Sequence, residues 1–202
     1  KPFGDSWESL QVPAAVGYSG MAMPGVLYGA PEYAAYILVA HLLKTDYLWQ
    51  KIRMQGGAYG AAASTHGLEG IFSFLSYRDP HVEKSLQVYE DGLAHIARHG
   101  ISEQDLEKAV IAIVGKDTRP KSPGEKSVVG LKRRLYGITD ELRRAARHSL
   151  LEVSVEEVKQ EAAHLYENTG SAARVVMAEE KVLEKTEQVF NRNGQRRIIV
   201  PM

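Results

Sequence analysis

The stretch Lys51-Ile52-Arg53-Met54-Gln55-Gly56-Gly57-Ala58-Tyr59-Gly60 constrains this chain more than any other. A helical pattern of apolar residues runs into it and a strand-like pattern leaves it. Two adjacent glycines stop a helix because glycine alone enters left-handed conformations without steric cost. A helix must therefore hand over directly to a strand, with a strong cation on one side of the break and a phenol on the other. Arg53 and Tyr59 so placed suit a site that donates hydrogen bonds to an oxygen whose negative charge is growing. The rest of the chain supplies no nucleophile, metal cluster or second catalytic pair to go with them. The block reads as half of an active site or as a binding surface.

Upstream, Val12 to Ser19 reads as a short strand, followed by a connection rich in glycine and proline that reaches Gly29. Pro31 suits a first helical position, where its missing N–H costs nothing. Ala34, Ile37, Leu38, His41 and Leu42 follow helical spacing. Tyr36, Val39, Ala40 and Leu43 make that helix apolar almost all round, the mark of a buried helix. A second short helix is expected from Tyr47 to Arg53.

Downstream, strands over 58–64 and 71–77 flank Gly67 and Gly70, which predicts a hairpin with a loose loop. Asp79-Pro80 opens a helix that turns Val82, Leu86, Tyr89, Leu93 and Ile96 inward and stops at Gly100. Ser102 to Asp105 resembles a capping box ahead of Leu106, Ala109, Val110, Ile113 and Val114. Further helices are expected over 124–135, 140–151 and 155–167, then a strand over 172–177, a helix over 179–189 and a last strand over 196–200. Strands separated by helix pairs give an α+β fold: a two-layer sandwich with a twisted, mostly antiparallel sheet and helices on one face. No repeat or linker divides residues 1–202, so one domain is expected.

Composition narrows the partners. Lys+Arg and Asp+Glu each total 25, and this balance excludes bulk nucleic-acid binding, which needs surplus cations. No apolar run approaches the ~18 residues of a membrane span. There is no cysteine, so neither disulfides nor thiolate metal sites are available, which fits a reducing or cysteine-poor organellar compartment. The chain is expected to be soluble, in a cytoplasm or an organellar matrix. It opens Lys1-Pro2-Phe3 rather than with methionine, as a piece of a longer polypeptide would.

The block at 51–60, together with Phe72-Ser73-Phe74-Leu75-Ser76-Tyr77-Arg78-Asp79-Pro80 and Gly137-Ile138-Thr139-Asp140-Glu141, is similar to the C-terminal domain of the insulinase-like (pitrilysin) zinc metallopeptidases, in the presequence-protease branch. The resemblance covers most of the chain. It implies the last of four homologous domains that close in two halves around an unfolded peptide. Zinc, in an inverted His-x-x-Glu-His motif, would belong to the first domain. The last domain would contribute an arginine and a tyrosine to the substrate, by position Arg53 and Tyr59, with Gly56, Gly57, Ala58 and Gly60 binding substrate alongside. The expected partners are therefore an unstructured oligopeptide and the N-terminal domains of the same enzyme, and the isolated piece is expected to self-associate through its exposed interdomain face.

Other readings of these residues stand beside that one. Arg53 also suits a helix-end cation near the C-terminal dipole, and Tyr59 a half-buried strand residue. A non-catalytic scaffold domain of a processing-peptidase-like complex would share the fold. His66-Gly67-Leu68-Glu69-Gly70 begins like the inverted zinc motif, but Gly70 stands where a histidine is needed, so no metal is assigned to this chain. His95 and His99 are an i, i+4 pair on the polar side of their helix and read as solvated. His41 reads as a core histidine and His81 as an exposed first-turn residue. Lys132, Arg133, Arg134, Arg143, Arg144 and Arg147 read as the coat of solvated helices.

Overall fold

Alternation along the sheet strands decides which way the fold faces. In the computed structural model, which describes residues 6–192 and 197–200, Ser19, Met21 and Met23 are buried while Tyr18, Gly20 and Ala22 between them are partly exposed. The sheet therefore has one covered and one open face. Its six strands are β1 (Ser6–Gln11), β2 (Gly17–Pro24), β3 (Gly60–His66), β4 (Ile71–Asp79), β5 (Ala173–Ala178) and β6 (Arg197–Ile199), in the order β3-β4-β2-β5-β1-β6. The β3–β4, β4–β2 and β2–β5 pairs are antiparallel, and β1 runs parallel to β5 and β6.

The helices are α1 (Tyr33–Leu42), α2 (Val82–His99), α3 (Glu103–Thr118), α4 (Pro123–Leu135), α5 (Asp140–Glu152), α6 (Val155–Glu167) and α7 (Glu180–Val189). The stripe Val82, Leu86, Tyr89, Leu93 and Ile96 on α2 is buried, as its spacing predicts, and packs with Phe72, Phe74 and Met21 of the sheet. The rings of Phe74 and Tyr89 stack with centroids 4.9 Å apart. The fold is the α+β sandwich expected, with a mixed sheet. Ser154 closes a full capping box with Glu157 at the start of α6, and Ser122 does the same with Glu125 for α4. Among the described residues, no helix is long and apolar enough to cross a membrane.

Four local expectations give way. Residues 12–16 form no strand: two strands, β1 and β2, lie on either side of them. Pro13, lacking an amide proton, cannot serve in a central ladder, and the small residues of Gly17–Pro24 hide a strand whose partners β4 and β5 supply the missing packing. Pro31 sits in a turn, and the helix begins at Tyr33 with Glu32 at its N-cap position making no side-chain capping bond. No separate helix begins at Tyr47. The chain stays helical from Tyr33 through π-type turns at Leu43–Tyr47 and Trp49–Gln55. His41 is half-buried rather than enclosed, and burial with nearby Lys116 and Lys44 pushes its pKa down. Of the last predicted strand, residue 196 lies outside the described residues.

Helix α4 buries none of its residues, and Val128, Leu131 and Leu135 are exposed. Leu93→Ala should therefore cost about 2–5 kcal/mol in a urea titration, whereas Leu131→Ala should stay within ~0.5 kcal/mol.

Glu187 of α7 accepts two hydrogen bonds from the Arg197 guanidinium of β6, at 3.1 and 2.8 Å. Those bonds hold its carboxyl below the ordinary range despite burial. Because the folded pKa is the lower one, this contribution is complete above the unfolded carboxylate pKa and fades as pH falls through the folded one. Glu187→Gln should flatten the acid limb of a stability–pH curve, read by thermal melts from neutral pH downward.

Candidate functional site

The long helix through 33–55 ends at the diglycine. Gly57 adopts φ +75°, and the amides of Gly57 and Ala58 return to the carbonyls of Arg53 and Ile52, both at 3.1 Å. This is a glycine cap widened by the π-type turns before it. A Cβ on Gly56 would lie 2.6 Å from the Ile52 carbonyl oxygen, so the turn admits no larger residue without shifting. Ala58 turns its methyl into the core at 3% exposure, so anything it offers a ligand comes from its backbone.

Arg53 leaves the last helical turn exposed and lies over the ring of Trp49, one turn earlier, with its guanidinium carbon 4.0 Å from the centroid. Stacking on an aromatic face restrains a long cation while leaving its N–H edge free.

Tyr59 is 59% exposed, far more than a half-buried strand residue would be. Its amide donates to the Arg78 carbonyl at 3.2 Å, which docks it against the end of β4. Its ring meets Tyr77 at 5.4 Å between centroids, and the Arg78 guanidinium lies 5.7 Å from its centroid. Gly60 makes this possible: a Cβ there would strike the Tyr77 ring at 2.5 Å.

Arg53, Met54, Gly57, Ala58, Tyr59 and Arg78 line one open cleft of about 470 Å³. No carboxylate lines it, and neither arginine has an ion-pair partner among the described residues. The cleft is an array of donors with a positive bias, suited to carbonyl oxygens and oxyanions. Sequence reasoning pointed to Arg53 and Tyr59 but missed Trp49 and Arg78. The i, i+4 spacing of Trp49 and Arg53 was a readable signal; the approach of Arg78 was not.

The other candidates fall elsewhere. His66 to Gly70 form the β3–β4 turn, with the Glu69 and Gly70 amides bonded back to the His66 carbonyl and His66 Nε2 bonded to Ser73 Oγ at 2.9 Å. His41, His95 and His99 line a separate groove with Tyr47 and Asp105. Arg143, Arg144 and Arg147 pair with Asp140, Glu141 and Asp117 at 2.7, 2.7 and 2.6 Å, Arg144 and Arg147 exposed and Arg143 partly buried.

The sequence profile of the PreP C-terminal domain matches residues 7–180. The chain belongs to that family. It is 34% identical over 179 residues to presequence protease 1, chloroplastic/mitochondrial, of Arabidopsis thaliana, covering 86% of this chain and 16% of the relative. It is likewise 34% identical over 170 residues to the mitochondrial presequence protease of Saccharomyces cerevisiae, covering 83% and 17%. The chain thus spans about one sixth of the length of these relatives. A solved M16 peptidase inactive domain from Pseudomonas fluorescens shares the fold, with a TM-score of 0.69 and 20% identity over 87% of this chain and 44% of that one.

A family of this kind implies zinc, and the described residues do not fit that ion: no three His, Asp or Glu side chains among them are placed to share a metal.

Gly57→Ala forces a Cβ into the left-handed region and should cost about 1–2 kcal/mol. Chemical denaturation should show that loss.

Proposed function

We propose that this chain is the last domain of a zinc-dependent peptidase for unstructured oligopeptides, the metal and general base being carried by another domain of the assembled enzyme. In this reading residues 1–202 are one domain, and Arg53 and Tyr59 bind substrate and stabilise the oxyanion. One observation carries it: an exposed phenol and a stacked guanidinium, without a carboxylate partner among the described residues, share one cleft.

Attack on a peptide carbonyl places negative charge on its oxygen in the tetrahedral intermediate. Donors already aimed at that position gain strength as the charge develops and need no reorganisation at that moment. Tyr59 offers O–H and Arg53 a charge-assisted N–H, either to the same oxygen or to a neighbouring carbonyl. The cap at Gly56 and Gly57 lets a peptide backbone approach. Strand β3 starts directly after Tyr59 and lies at the sheet edge, so its outer side is available to pair with an extended segment.

The open sheet face continues from this cleft. Tyr77, Leu75 and Val175 on it are 38%, 43% and 39% exposed. We assign this face to the wall of a substrate chamber completed by the N-terminal domains. Left uncovered, it would favour self-association. A mitochondrial or chloroplast compartment accords with the relatives, which are chloroplastic/mitochondrial and mitochondrial presequence proteases.

In the complete enzyme, Tyr59→Phe and Arg53→Ala should each lower kcat about 10²- to 10³-fold with zinc content unchanged. Steady-state hydrolysis of an unstructured peptide and metal analysis would check this, and full activity in both variants would remove the reading. This chain alone should hydrolyse nothing.

A further inference from the structure

We infer that Arg78 is a positioning residue, presented by a strained β-bulge to hold the Tyr59 ring in its working orientation. The inference rests on the peptidase reading of the cleft and adds a residue to it.

Pairing between β2 and β4 places Tyr18 opposite Tyr77 and Gly17 opposite Asp79, so Arg78 is the extra residue, opposed by nothing on β2. Its φ is +50°. A left-handed bulge position is ordinarily taken by glycine, because a side chain there crowds its own backbone. Among the described residues, the only other non-glycine with positive φ is Asn191, a residue type that tolerates this region. An arginine therefore occupies a site where the backbone alone would favour glycine.

The surroundings hold this strained conformation in place. Asp79, 1% exposed, accepts from Ser76 Oγ at 2.6 Å and from the His81 amide at 2.8 Å. These bonds pin the residues on both sides of Arg78. Its carbonyl accepts the Tyr59 amide, and its side chain swings to the open face over the Tyr59 ring. Bulges re-aim side chains, and here the re-aimed group is a cation above the phenol that the cleft presents.

Without that contact the exposed ring loses one of its two ring-face restraints among the described residues and leans on Tyr77. Its hydroxyl would then sample more directions, and the fraction of molecules with the donor correctly aimed would fall. An exposed cation–π contact corresponds to about a two- to fivefold population effect. The loss should appear in kcat with KM little changed, because a donor used in the transition state is affected.

The test uses Arg78→Met, Arg78→Lys and Arg78→Gly in the complete enzyme, each made with Tyr59 intact and with Tyr59→Phe. Arg78→Met and Arg78→Gly should lower kcat by that factor only where Tyr59 is present, and Arg78→Lys should restore most of it. Arg78→Gly should melt no lower than the parent, since glycine accepts φ +50° without strain. A loss that tracks melting temperature, an equal loss in both Tyr59 backgrounds, or no loss at all would overturn the inference. Unchanged activity in Tyr59→Phe would instead sink the peptidase role of Tyr59. The positioning claim would then be decided by the Tyr59 ring resonances of this chain in NMR. They should shift in Arg78→Met and return toward the parent in Arg78→Lys; resonances unmoved in both would overturn it.

Discussion

A chain of buried hydroxyls ending on a carboxylate ties this structure together. Tyr89 of α2 bonds Ser19 of β2 at 2.9 Å, Ser19 bonds Ser76 of β4 at 2.8 Å, and Ser76 donates to Asp79. Each partner left unmatched in a dry core would cost about 1–3 kcal/mol, so α2, β2 and β4 must hold one register for all of them to be met. Burial raises the Tyr89 pKa, which keeps the hydroxyl protonated for this role. Asp79 stands at the far end of the chain, next in sequence to Arg78 of the cleft, and anchors the turn from β4 into α2 by accepting the His81 amide. Core packing and site geometry therefore meet at neighbouring residues.

The site itself is shared between two separate elements. One is the helix end bearing Arg53 on Trp49; the other is the start of β3 bearing Tyr59, docked on the end of β4. The glycine cap joins them and fixes how far apart they stand. The two arginines come from different elements, and neither is neutralised by a carboxylate among the described residues. Electrostatic complementarity is left for a ligand, which accords with donors exposed on an open sheet face rather than enclosed in a pocket.

Much of this was legible in the sequence. The stripe of α2, the capping box of Ser154 and Glu157, the hairpin and the handover at the diglycine all depend on interactions within a few residues, and those leave periodic or motif-like traces. Strand β1 and the true extent of β2 left weaker traces. Ser6–Gln11 owes its place to parallel partners β5 and β6, far along the chain. Gly17–Pro24 is built of small residues and methionines whose strand character comes from neighbours on both sides. The π-type turns that fuse the two expected helices were invisible for a similar reason. Burial of Leu43, Leu48 and Ile52 under the sheet rewards a wider coil that no local propensity favours.

Taken alone, the sequence determined the helix-to-strand break, the layered α+β class, the lack of cysteine chemistry and the placing of Arg53 and Tyr59 on either side of the break. These follow from local conformational limits and side-chain chemistry. Tertiary structure decided that Tyr59 stands exposed, that Trp49 restrains Arg53 and that Arg78 reaches the Tyr59 ring. The physical reason is register. A single extra residue in β4 against β2 sets where Arg78 points, and register is fixed by long-range pairing and buried hydrogen bonds rather than by any short stretch of chain.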